Sequence, residues 1–162
     1  MSRSGNLARS RVAPFAQRAR AAIEKHVGEA RMPTAEWTAG INQTWVRWRR
    51  EDGSWFYLGL HRHLDWVSGE AGLAREAVPL ETLPLLAAGD ALPAGAIGYR
   101  MRLGPLLDDE DRWWPAGSTP AEERERLEWI ALQLRISAKP HFRRRPLPDR
   151  RETGSGAPAA GP

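Results

Sequence analysis

The chain has no cysteine and almost no lysine, with two lysines beside 22 arginines in 162 residues. Without cysteine there is no disulfide, no thiol nucleophile and no cysteine-based zinc site. No apolar run approaches the length of a membrane span, and the N-terminus lacks the apolar core of a secretory signal. A cytoplasmic protein with no membrane association is therefore expected. No serine sits in a G-x-S-x-G elbow and no glycine-rich stretch has phosphate-loop spacing. With no catalytic constellation and no cofactor motif, an enzyme is not the expected reading and no cofactor is implied. The arginine excess accompanies abundant alanine, glycine and proline, which reads as the codon usage of a GC-rich bacterium. The competing reading, recognition of phosphate or carboxylate by forked donors, needs a clustered site.

Charge is unevenly placed. Residues 1–11 carry Arg3, Arg9 and Arg11 with no acid, and residues 143–162 carry five arginines against Asp149 and Glu152. Between them, sixteen basic residues face eighteen acidic ones, so the folded part is not a basic domain and only its ends are. The acid-free first 23 residues are similar in composition to a mitochondrial presequence. They also read as a solvated tail leading into the first packed helix.

That helix is expected from about Ala13 to Ala30, where Val12, Phe15, Ala16, Ala19, Ala22, Ile23 and Val27 recur at three and four. A second is signposted by Thr119 as N-cap, Pro120 at the first turn and Glu122 completing a capping box. Its stripe is Leu127, Ile130, Ala131, Leu134 and Ala138, and Pro140 is expected to end it. Ser68–Gly72 reads as a break, and residues 77–95, rich in proline and glycine, read as an irregular connection. Ile97, Tyr99, Met101 and Leu103 alternate as a half-buried strand. The acidic run Asp108–Asp111 reads as a solvated loop. The expected architecture is α+β: a small antiparallel sheet of three to five strands, built on a central 43–64 hairpin and packed by an N-terminal and a C-terminal helix. A disordered tail is expected at 1–10, one domain at 11–148 and a Gly/Ala/Pro-rich disordered tail at 149–162.

The hairpin carries most of the signal. The segment 42–66 holds Trp45, Trp48, Trp55 and Trp66 of the eight tryptophans, and Asp52-Gly53 between two β-rich runs is a strong turn signal. A two-residue turn there pairs Arg50 with Trp55, Trp48 with Tyr57 and Thr44 with His61. One face, Trp45, Phe56, Leu58, Leu60 and Leu64, then reads as core. The other, with Trp48, Trp55, Tyr57, His61 and His63 beside Arg50, has the composition of a contact surface.

His61, His63 and Asp65 alternate, so one strand would point all three the same way, a donor set suited to zinc, iron or manganese. The run resembles the start of the metallo-β-lactamase motif H-x-H-x-D-H, but Trp66 stands where its last histidine belongs. It is also similar to the cupin pattern of two histidines and a following glutamate, although Glu70 is too distant. In organisation the chain resembles small bacterial domains of unknown function in which a helix closes a sheet after a Trp-Trp pair. The function expected first is a non-catalytic protein-binding module, of accessory or immunity type, using Trp48, Trp55, Tyr57 and Arg50. The alternatives are a nucleic-acid accessory protein using Arg143, Arg144 and Arg145, and a small metalloenzyme at His61, His63 and Asp65.

Overall fold

The computed structural model describes residues 3–107 and 110–148, with side chains from residue 15 onward. The expected tail at 149–162 lies outside them, as do the first two residues and Asp108 and Asp109 of the acidic run. Helix α1 (Arg3–His26) leads into a four-stranded meander: β1 (Glu36–Ala39), β2 (Gln43–Arg49), β3 (Trp55–His63) and β4 (Trp66–Ala74). After an irregular segment come β5 (Gly98–Arg102), the one-turn helix α2 (Leu103–Leu106), the short β6 (Trp114–Pro115) and helix α3 (Pro120–Arg144). These strands pair antiparallel in the order β1-β2-β3-β4-β5, with β6 beside the start of β4. The fold is α+β. The backbone of α1 is helical from Arg3, so it runs through residues 3–10, read from the sequence as a tail.

Both long helices cover one face of the sheet. Ala19, Ala22 and Ile23 of α1 and Leu127, Ile130, Ala131 and Leu134 of α3 are buried against Val46, Leu58, Leu60 and Ala71. Each of the fully buried valine, leucine and isoleucine side chains contributes about 1.5–3 kcal/mol. Thr119 caps α3 as the sequence predicts, its Oγ1 accepting from the Glu122 N–H at 3.2 Å, while Glu122 Oε2 reaches one residue further back and accepts from the Ser118 N–H at 2.7 Å.

Two expectations are corrected here. Ser68–Gly72 does not break the sheet but lies inside β4, an interior strand. Glycine serves close packing there, since a Cβ on Gly69 would stand 2.6 Å from Ile130 Cγ2 and 2.8 Å from Leu134 Cδ1. Nor does Pro140 end α3, which continues to Arg144. The extra turn buries Phe142 edge-on against Phe56 and Tyr99, with centroids at 5.4 and 5.2 Å. That burial offsets the backbone hydrogen bond proline cannot make.

Candidate functional site

The β2–β3 register decides where every candidate residue goes. Gly53 alone takes a positive φ, 87°, at the tip. Asp52 stays in an ordinary conformation because its Oδ1 accepts from the Ser54 N–H at 2.9 Å and from Ser54 Oγ at 2.5 Å. A two-residue turn of the expected kind needs positive φ at both positions. The loop is instead three residues, closed by the Arg50 N–H on the Ser54 carbonyl at 2.8 Å. Trp48 therefore pairs with Phe56, Arg47 with Tyr57 and Trp45 with Gly59. A one-residue slip exchanges faces, so Trp48 and Trp45 trade places relative to the sequence reading.

The expected aromatic surface is consequently divided. Trp48, 4% exposed, lies under the helices against Phe56. Tyr57 is fully buried on the outer face with Trp45, where Leu80 and Leu83 cover it. Its hydroxyl donates to the Val78 carbonyl at 2.7 Å and accepts from the Val78 N–H at 3.0 Å, strapping the 75–97 segment to the sheet. Trp55 is half-buried at the edge of this second cluster, with the Arg47 guanidinium 5.5 Å from its ring centre. Arg50 remains exposed at the hairpin tip.

His61, His63 and Asp65 do not converge on a metal. Among the described residues no three histidine or acidic side chains are placed to hold one. Asp65 sits in the β3–β4 turn, where its carbonyl accepts from the Ala116 N–H. His61 Nε2 lies 3.2 Å from Oε1 of Glu70, an ion-pair contact outside hydrogen-bond alignment. Glu70 is 1% exposed and takes the Arg100 Nη1 on both oxygens, at 3.0 and 2.8 Å. Burial alone would push this carboxyl up. The His61 ring and the Arg100 guanidinium outweigh that and hold it below its ordinary 4.5. Ser68 faces His61 across the strands, but its hydroxyl is fully buried and without a hydrogen bond among the described residues. Ser68 is thus not hydrogen-bonded to His61, and the polar link here is the Glu70–Arg100 pair between β4 and β5.

The sheet end around the β3–β4 turn is different. Leu64 is 75% exposed, Ile41 67% and Trp66 48%. The Arg62 N–H bonds the Asn42 carbonyl at 2.8 Å, which brings the Ile41 turn beside the Leu64 turn. Leu64 is the only described non-glycine residue at positive φ, 53°. A branched side chain there is strained by about 1–3 kcal/mol where glycine or asparagine would sit easily. The turn is held by Arg62 Nε on the Leu64 carbonyl, 2.9 Å, and by Ala116 on Asp65. Around it stand Pro115, paired with Trp66, and Trp113, whose ring lies 6.4 Å from His63 and 5.3 Å from the Arg102 guanidinium.

Of the basic C-terminal segment, Arg143 and Arg144 are exposed, whereas Arg145 is tied down. Its Nη2 donates to the Asp90 carbonyl at 2.6 Å, and its carbonyl accepts from the Tyr99 hydroxyl at 2.5 Å. Burial pushes that phenol up to about 12. Arg143 and Arg50 line the same groove at the hairpin tip.

Compared with known proteins, the chain matches no protein-family model, and no curated protein or solved structure matches it significantly. Leu64, read from the sequence as part of the core face, is instead exposed in the β3–β4 turn, and Ile41 and Trp66 were assigned no role there. Leu64-Asp65 between two β-rich runs was the available signal, because an apolar residue in a two-residue turn cannot face the core.

Proposed function

We propose that the protein is a cytoplasmic, non-catalytic protein-binding module of accessory type, and that its contact surface is the sheet end carrying Ile41, Leu64 and Trp66. One observation carries this reading: Leu64 is held in a strained left-handed conformation and at the same time exposed. Strain maintained by Arg62 and Ala116 around an exposed apolar side chain stabilises nothing in the monomer, and such outliers collect where function needs them. The surroundings support it. A half-exposed tryptophan, an exposed leucine and histidine and arginine at the margin match the composition of interface centres. No helix among the described residues is long and apolar enough to cross a membrane.

The test compares the full-length tagged protein with Leu64→Asn and Trp66→Ala in capture from host lysate, with nuclease present throughout. Asparagine tolerates positive φ, so Leu64→Asn should keep or slightly raise the melting temperature. A stoichiometric protein partner retained by the parent should be lost by both variants, each truncation costing about 2 kcal/mol or more of binding. A partner that both variants hold as tightly as the parent removes this surface from consideration.

A further inference from the structure

At the opposite end of β3, some nine residues from the Leu64 turn, the hairpin tip, the 3-10 turn Gly28–Arg31 and the last turns of α3 enclose an open cavity of about 590 Å³. We infer that this cavity binds a small organic anion, one that carries a phosphate or carboxylate beside an apolar or aromatic body. The inference is independent of the protein-binding reading, since it uses other residues at the other end of the sheet.

Three features argue for it. The volume lies within the roughly 300–1,000 Å³ of small-molecule sites. Arg49, Arg50 and Arg143 line the cavity; none makes a side-chain hydrogen bond or ion pair among the described residues, and Arg50 interacts electrostatically with Asp52. Of the lining carboxylates, only Glu29 has a cationic hydrogen-bond partner among the described residues. Glu29 is bonded to Lys139, which holds its carboxyl below the ordinary value, and Asp52 is bonded twice to Ser54. Arg49, Arg50, Lys139 and Arg143 outnumber Glu29, Glu51 and Asp52 by four to three around the cavity, so its lining is net positive. Guanidinium forks suit oxyanions better than ammonium groups do. The floor is apolar: Trp48 and Phe56, with ring centres 5.1 Å apart, and Met32, which is 38% exposed. A ligand matching the cavity therefore has a charged head and an apolar body. Glu51 and Asp52 at the rim oppose a continuous phosphate backbone, and three arginines are few for one. The cations come from residues 49–50 and 143, and only the fold brings them to one cavity.

The test uses the full chain with 8-anilinonaphthalene-1-sulfonate, an aromatic anion, as fluorescent probe and inorganic pyrophosphate as competitor. Saturable one-to-one binding in the micromolar range, displaced by pyrophosphate, is expected. Arg50→Ala with Arg143→Ala should weaken it at least tenfold without changing the melting temperature. Arg144→Ala, exposed beside the cavity but not lining it, should leave it unchanged. Non-saturable binding, binding indifferent to the double variant, or equal loss in Arg144→Ala would overturn the proposal. So would a single-stranded oligonucleotide that displaces the probe with steep salt dependence, which would make the arginines a nucleic-acid surface.

Discussion

Glu70 shows what a single buried charge does in this sheet. Its carboxylate, almost wholly removed from water, is paired with Arg100 from β5 and lies 3.2 Å from the His61 ring of β3. Removing the charge leaves a largely buried guanidinium uncompensated, so Glu70→Gln should cost about 3 kcal/mol in chemical denaturation at neutral pH. The pH dependence follows from the direction of the shift. The folded carboxyl lies below 4.5, so near and below that pH the unfolded chain binds more protons than the folded one. The stabilisation from Glu70 is complete above the ordinary glutamate range and fades as pH falls through the lower folded value. Stability measured from pH 7 to pH 3 should therefore decline less steeply in Glu70→Gln than in the parent. Parallel curves would mean that other carboxylates carry the acid sensitivity.

Among the elements, β4 and α3 depend on one another through a glycine. Gly69 lets Ile130 and Leu134 approach the strand more closely than any Cβ permits. Gly69→Ala should thus overpack the interface and cost about 1–3 kcal/mol. Gly28→Ala, whose new Cβ would meet nothing nearer than 3.9 Å, should stay within about 0.5 kcal/mol. Melting temperatures of the two variants side by side check the pair, and equal effects would show that α3 shifts freely on the sheet. The same strand was misread from its composition. Glycines that suggest a break in isolation are, between two neighbouring strands, what brings a helix onto one face and Leu80 and Leu83 onto the other. Strand β5 was legible because its alternation of Tyr99 and Met101 with Arg100 and Arg102 needs no knowledge of neighbours.

Over the whole molecule, Glu123 joins the layers. It sits in the first turn of α3, 3% exposed, where Arg18 of α1 and Arg62 of β3 both reach it, Arg18 Nε at 2.9 Å. Its position also suits the positive end of the helix dipole. Glu123→Ala should destabilise by about 2–3 kcal/mol, less than a fully buried pair because both arginines are partly in water. The loss should exceed that of Glu128→Ala, whose partner Lys25 is exposed. Urea midpoints of the two variants decide this, and matching midpoints would mean that α1 and α3 are held by apolar packing alone.

The amino-acid sequence by itself determined the elements governed by local chemistry. These are the capped start of α3, the apolar stripes of both helices, the presence of a turn at Asp52-Gly53, the alternation of β5 and the α+β class. Tertiary structure decided which face each ring took. That choice rests on a single residue of loop length, settled by Asp52 bonding Ser54 rather than adopting positive φ, and a strand's period of two turns such a slip into an exchange of faces. It buried Trp48 and Tyr57, set His61 beside Glu70, placed Asp65 in the β3–β4 turn, and left Leu64 and Trp66 outside. It also drew Arg50 and Arg143 to one cavity, a juxtaposition across 93 residues that no local pattern in the chain encodes.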